Sequence, residues 1–336
     1  MIGRAMGRLA KRGIRTVFDV VTCGELLVDF VALRRGVRLA DAPAFRRAAG
    51  GAPANVAVGV ARLGRRAAFL GQVGDDDFGH FLAETLHRAG VDTRGLRFSS
   101  AARTALAFVS LRADGERDFL FYRHPSADML WRPQDVERSV AGATRIVHFG
   151  SVSLIDEPAR SATLEAVALA RASGALVSYD PNLRLTLWPS PTVAREGMLR
   201  GLAEADIVKL SSEELAFLTG SSDPASARQL WHDRLRLLVV TLGAAGCAYL
   251  TRHGEGRVPG FPVRVVDTTG AGDGFVAGLL VGLLEHGGEW SQEIIEQALR
   301  LANAVGALVC TRRGAIPALP TRQRVKQFLR AAAETF

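Results

Sequence analysis

Short apolar runs alternate with longer amphipathic stretches along most of the chain. Residues 17–24, 67–73, 145–149, 175–179, 207–210 and 237–241 are compact, apolar and of strand length. Between them, residues 55–63 and 78–89 carry apolar positions at helical spacing, and further helical segments separate the later strands. Such βα alternation predicts a doubly wound α/β domain, a mostly parallel sheet with helices on both faces. The first run continues through Glu25-Leu26-Leu27-Val28, so Asp29 is expected near a strand's C-terminal end, where open α/β sheets place ligands.

Two segments break this alternation. Residues 30–47 are basic and strand-like without strong periodicity, and residues 104–123 read as a hairpin turning at Asp114-Gly115. Together they predict a small β-sheet projecting from the main domain and acting as a lid. The expected organisation is a basic, disordered extension over 1–16, a core of 17–29, 48–103 and 124–336, and a lid of 30–47 and 104–123.

Val263, Val265 and Val266 read as a strand end, and Phe275 onward as a buried helix. Between them stands Asp267-Thr268-Thr269-Gly270-Ala271-Gly272-Asp273-Gly274. Glycines at a strand-to-helix junction let an anion approach the unpaired N–H groups of the first helical turn, where the helix dipole adds about half a positive charge. Asp273 in that turn suits a base that takes a proton from an attacking hydroxyl. Taken alone, the block also fits an ordinary Gly-rich turn with a dipole-favoured acid. A second cluster, Gly50-Gly51-Ala52-Pro53-Ala54-Asn55, opens a helix with polar groups suited to hydroxyls, although Asn55 by itself fits a helix cap equally well.

Composition narrows the classes. The formal charge is +8, but five basic residues, Arg4, Arg8, Lys11, Arg12 and Arg15, precede the first acid, Asp19, leaving about +3 for the rest. No zinc-finger, RRM or basic-helix pattern is present, so no nucleic-acid partner is expected. Apolar runs such as 275–284 stop short of the ~18 residues of a membrane span. Cys23, Cys247 and Cys310 are dispersed, consistent with buried free thiols and a cytoplasmic location. Only three lysines occur and none follows a glycine, so there is no P-loop, and no G-x-G-x-x-G dinucleotide fingerprint follows the first strand. Seven histidines form no metal-binding pattern.

The Gly50-Gly51…Asn55 cluster and the Asp267-Thr268…Gly272-Asp273 block together resemble the two signatures of the PfkB, or ribokinase-like, sugar kinases. Further blocks follow in that family's order over residues 17–321: Asp206-Ile207-Val208-Lys209 leading to Glu214, Thr241-Leu242-Gly243-Ala244-Ala245-Gly246, and Asn303 on the penultimate long helix. Arg123-His124-Pro125-Ser126-Ala127-Asp128 and Asp180-Pro181-Asn182-Leu183-Arg184, continuing to Leu187-Trp188-Pro189-Ser190, resemble the fructokinase branch. Asp-x-Asn-x-Arg also occurs in 2-keto-3-deoxygluconate kinases.

The resemblance implies a ribokinase-like fold and ATP-dependent phosphorylation of D-fructose at its 6-hydroxyl. Asp273 would be the base, with the N–H groups of Gly270, Ala271, Gly272 and Asp273 holding the transferring phosphoryl group. Asp29, Gly50, Gly51, Asn55, Arg123 and Arg184 would bind the sugar. Thr241, Gly243, Gly246 and Asn303 would line the nucleotide site. Glu214 would organise Mg²⁺ through water, and Asp267, Thr269 and Gly314 a monovalent cation, K⁺. A homodimer through the lid is also implied. Alternatives are a kinase for 2-keto-3-deoxygluconate, ribose or an aminoimidazole riboside, a phosphofructokinase, and a non-catalytic sugar-binding regulator. Two positions depart from the family pattern: Ser211 stands where an Asn is common, and His124 where fructokinases often carry Asn.

Overall fold

A computed structural model describes residues 18–34, 36–111, 117–287 and 290–334. The N-terminal extension and the Asp114-Gly115 turn lie outside these residues. The strands are β1 (Phe18–Cys23), β2 (Leu27–Ala32), β3 (Phe45–Gly50), β4 (Ala67–Gly74), β5 (Val91–Ser99), β6 (Leu106–Leu111), β7 (Arg117–Tyr122), β8 (Thr144–Phe149), β9 (Leu176–Tyr179), β10 (Ile207–Ser211), β11 (Leu237–Thr241), β12 (Cys247–Leu250) and β13 (Glu255–Val258). The helices are α1 (Ala52–Arg62), α2 (Asp77–Arg88), α3 (Arg138–Ala141), α4 (Ala159–Ala172), α5 (Pro191–Ala203), α6 (Ser212–Thr219), α7 (Ala271–Glu285), α8 (Gln292–Cys310) and α9 (Arg322–Glu334).

Nine strands form the main sheet in the order β13-β12-β11-β10-β9-β8-β1-β4-β5, and four form a second sheet in the order β3-β2-β6-β7. From β11 to β5 every pairing in the main sheet is parallel; only the β12 pairings are antiparallel. Alternation within strands explains the two-sided core. Val20 belongs to an apolar cluster with α1, α7 and α8, whereas its neighbour Val21 belongs to a second cluster with α4, α5 and α6. All six β1 residues are buried, as expected of a parallel strand covered on both faces.

Helix α7 is apolar on all sides, buried from Asp273 to Leu284. Gly278 and Gly282 let α8 pack against its backbone: a Cβ at either would stand 2.8 or 2.7 Å from the Cα of Ala302 or Ala298. This fixes the α7 N-terminus in space. Among the described residues, no helix is long and apolar enough to cross a membrane.

Several expectations are corrected. Residues 263–266 form no strand. Pro259 and Pro262 follow the edge strand β13, and proline cannot donate to a ladder; the segment is held instead by the Val266 N–H on the Cys310 carbonyl, 2.8 Å. Asp29 does not end the first strand. Gly24, at φ 143°, turns the chain out of the main sheet, and Asp29 sits inside β2, paired with Ala48 and Ala107 in the second sheet. α1 begins at Ala52, three residues before Asn55, because Pro53 is tolerated in a first helical turn. β5 and the β12–β13 hairpin are additional to the elements expected. All three cysteines are free, but Cys310 is half-buried.

Candidate functional site

The C-terminal ends of parallel strands β9, β10 and β11 deliver Asp180 and Asn182, Lys209 and Ser211, and Thr241 to one edge of the sheet. Against this edge stands the α7 N-terminus. Gly270 is its cap residue at φ 77°, and a Cβ there would stand 2.7 Å from Ala315 Cβ. The first helical bond is from the Gly274 N–H to the Gly270 carbonyl, 2.8 Å. The Ala271 N–H is already given to the Thr268 carbonyl, 3.2 Å, while those of Gly272 and Asp273 lie in the turn that lacks intrahelical acceptors.

Asp273 is 7% exposed, and its two carboxylate oxygens accept from different elements. Asn55 Nδ2 of α1 donates to Oδ2 at 2.8 Å, and Asn182 Nδ2 donates to Oδ1 at 3.2 Å. Asn182 reaches it from a left-handed backbone, φ 49°, a conformation Asn tolerates better than most residues. Burial pushes Asp273 up to about 6; Asp180 adds to this, and the Asn55 hydrogen bond, Arg184 and Lys209 oppose it.

Behind the turn lies a cation that the motif reading did not single out for a role. Lys209 Nζ donates to Asp180 Oδ2 at 3.0 Å, both side chains are buried, and Nζ is 3.3 Å from where a Gly272 Cβ would stand. Burial alone would depress the Lys209 ammonium, but the carboxylates of Asp180, Glu214 and Asp273 hold it up at about 12. The sequence held a signal for it: this is a lone lysine inside an apolar strand.

Glu214 accepts from the Leu183 N–H and the Ser211 N–H, each at 2.8 Å, and Ser211 Oγ accepts the Glu214 N–H in return. Ser211 is thus the N-cap of α6 in a reciprocal capping box. The Glu214 carboxylate is committed to backbone donors, which fits contact with a metal through water better than direct ligation. Asp267, Thr269 and Gly314 meet as the sequence suggested: Asp267 Oδ1 accepts from the Thr269 N–H and hydroxyl, and Oδ2 from the Gly314 N–H at 2.9 Å. Carboxylate and hydroxyl oxygens are donors suited to a hard cation.

On the other side of Asp273, Asp29 packs against Gly50, where any Cβ would collide with its carboxylate. Burial pushes half-buried Asp29 up to about 6, with Arg184 opposing and Asp273 adding. Arg184 is exposed and donates to the Leu183 carbonyl, 3.1 Å. Arg123 is 5% exposed, and its Nε and Nη2 both donate to Asp128 Oδ2, at 2.8 and 2.6 Å. His124 is exposed. Beyond Thr241, Gly246 sits at φ 96° against the Val258 carbonyl, and Asn303 Nδ2 donates to the carbonyls of Val258 and Pro259, each at 3.1 Å. Gly243, also left-handed at φ 59°, is exposed on the same loop.

A second small sheet beside a doubly wound sheet, with a buried carboxylate next to unpaired N–H groups in a helix's first turn, suits an enzyme that transfers an anionic group to a hydroxyl. The chain belongs to the family described as pfkB family carbohydrate kinase, whose model matches residues 17–322. It is 53% identical over 314 residues to probable fructokinase-4 of Arabidopsis thaliana, covering 93% of this chain and 96% of that one. Among solved structures, it is similar to a fructokinase with bound ATP from Xylella fastidiosa, at 40% identity and TM-score 0.86, covering 94% and 99% of the two chains. A fructokinase double mutant from Vibrio cholerae, bound to fructose, ADP and a potassium ion, matches at 38% identity and TM-score 0.82, covering 93% and 98%.

Proposed function

We propose that the protein transfers the γ-phosphoryl group of ATP to the 6-hydroxyl of D-fructose, giving fructose 6-phosphate and ADP. The observation that carries this reading is Asp273: a carboxylate buried in the first turn of α7, held by Asn55 and Asn182, and tuned to about 6. It is ionised near neutrality yet basic enough to take a hydroxyl proton, as a general base must be. Identity of 53% to a probable fructokinase and the fructose-bound Vibrio relative support the choice of sugar.

In this reading, Asp29, Gly50, Gly51 and Asn55 receive sugar hydroxyls, and Arg184 bridges the fields of Asp29 and Asp273. The backbone N–H groups of Gly270, Gly272 and Asp273 stabilise the charge that develops on the phosphoryl oxygens, and that of Ala271 joins them only by leaving the Thr268 carbonyl. Arg123, committed to Asp128, organises the sugar side rather than reaching freely into it. Thr241, Gly243, Gly246 and Asn303 shape the nucleotide side. Mg²⁺ would be carried by the nucleotide and held through water by Glu214, neutralising phosphate charge. Asp267, Thr269 and Gly314 would hold K⁺ beside the anion turn. The second sheet, built from 27–32, 45–50, 106–111 and 117–122, acts as a lid over the sugar, so the expected core of 17–29, 48–103 and 124–336 loses 27–29 and 48–50 to it, and the expected lid segments 30–47 and 104–123 widen accordingly. Its exposed residues Leu120 and Tyr122 support a homodimer through that sheet. Free thiols support a reducing, cytoplasmic setting.

ADP release with Mg-ATP and K⁺ should be compared across fructose, 2-keto-3-deoxygluconate, ribose, an aminoimidazole riboside, glucose and fructose 6-phosphate. Fructose should give the highest kcat/KM. Preference for another member of the panel would discard fructose and keep the kinase.

A further inference from the structure

We propose that Glu25 is a positioning residue for sugar binding: its carboxylate caps α1 at Ala52 and so fixes the Gly50–Gly51–Asn55 cradle where the two sheets join. This rests on the sugar-site reading given above. Gly24, Glu25 and Leu26 form the crossing from β1 in the main sheet to β2 in the second. The chain crosses back at Gly51, between β3 and α1, and again at Arg123, directly after β7. Glu25 hydrogen-bonds at the first return crossing, and the Arg123 charge at the second acts on it through space.

Its backbone carbonyl lies where a Gly51 Cβ would be, and Gly51 holds φ 107°, so the two crossings fit together only through a glycine. Gly51 is the N-cap of α1 but supplies no side-chain hydrogen bond, and Pro53 offers no N–H. The missing cap comes from 27 residues away: Glu25 Oε1 accepts the Ala52 N–H at 3.1 Å. Glu25 is 5% exposed, and its second oxygen, Oε2, is buried without a hydrogen-bond partner. An internal carboxylate kept half-satisfied is costly, which points to work done by its charge.

The charged and titratable groups around it are Arg123, which attracts the ionised form, Asp128, which opposes it, and the Cys23 thiol. Burial dominates and raises Glu25 to about 7, against its own backbone N–H, Arg123 and the Ala52 N–H. The ionised form is the stronger acceptor for Ala52 and the stronger partner for Arg123. Sugar affinity should therefore tighten as pH rises through 7. Asp29 and Asp273, each at about 6, complete most of their titration below this window.

The test is steady-state kinetics of wild type, Glu25→Gln, Glu25→Ala and Asp29→Ala between pH 6.5 and 8.5, with melting temperatures alongside. Glu25→Ala should raise the fructose KM about fivefold or more, with kcat and the ATP KM within about twofold. Glu25→Gln keeps an acceptor for Ala52 without the charge; its fructose KM should match wild type at pH 6.5 and fail to fall toward pH 8.5. An unchanged fructose KM in Glu25→Ala, a wild-type pH profile in Glu25→Gln, or a parallel loss of sugar and ATP affinity would overturn the proposal. An unchanged fructose KM in Asp29→Ala would instead remove the sugar-site reading, a result distinct from any of these.

Discussion

In the proposed reading, the phosphoryl end and the sugar end of the site meet at Asp273, yet they are built differently. The phosphoryl end is one continuous turn, 267–273, at the N-terminus of a helix locked by α8, with Asp267 stapled to Gly314 and Lys209 set behind Gly272. The recognition groups proposed there are backbone dipoles, which need no side-chain ordering. The sugar end is assembled from Glu25 and Asp29 on the way into the second sheet, Gly50, Gly51 and Asn55 on the way out, and Arg123 on the second return. There, a half-buried carboxylate raised to about 6, a buried one raised to about 7 and a committed arginine take the place of backbone. The rigid end is suited to stabilising charge at one fixed point, and the end that spans two sheets is suited to responding to what binds.

The sharpest break of this comparison is at the shared residue. Asp273→Asn keeps the size of the side chain but removes the base, so kcat should fall by about 10²–10⁴ while the fructose Kd stays within a few-fold. Stopped-flow binding and single-turnover ADP release separate the two quantities. A large loss of fructose affinity with modest loss of kcat would move Asp273 from the phosphoryl end to the sugar end.

How much of each end was legible follows from the same contrast. Asp267, Thr269 and Gly270–Asp273 stand together in sequence, and even distant Gly314 joins them as expected. Six strands of the parallel sheet were legible too, because each carries its own apolar run, whereas parallel β5, with charged and polar residues throughout, does not. Asp29 was placed on the wrong sheet, since an apolar run cannot announce that Gly24 turns it into another layer. Lys209 received no role because its partners, Asp180 and Gly272, come from two other elements. Val263–Val266 misled because apolar β-branched residues read as strand even where flanking prolines leave no partner to pair with.

A second, somewhat smaller effect should separate a structural cation from a phosphate-binding one. Lys209→Met leaves Asp180 buried and unpaired next to Asp273, and breaking such a pair costs about 3–5 kcal/mol. Denaturant melts should show that loss, and the Asp180→Asn, Lys209→Met double variant should recover much of it. Recovery of stability without recovery of kcat would give Lys209 a direct part at the phosphoryl end, whereas recovery of both would make it scaffold alone.

The smallest expected effect is a pH response in which activity and stability run in opposite directions. As the proposed base, Asp273 works ionised, so kcat/KM should rise with pH through about 6; ionisation of Asp29 adds to the same limb, and that of Glu25 extends it through 7 toward pH 8. For stability the sign reverses. A carboxyl whose folded pKa lies above its unfolded value of about 4 binds its proton more tightly when folded. Its contribution is therefore fully present below pH 4 and is lost as pH rises through 6, and for Glu25 through 7. Melting temperature should accordingly show a negative contribution with pH over the window in which kcat/KM climbs, read as the difference between wild type and an Asp29→Asn, Glu25→Gln variant. If that difference is flat between pH 4 and 8, the two sugar-end carboxyls are not strained by burial, and the contrast between a rigid phosphoryl end and a charge-loaded sugar end loses its electrostatic half.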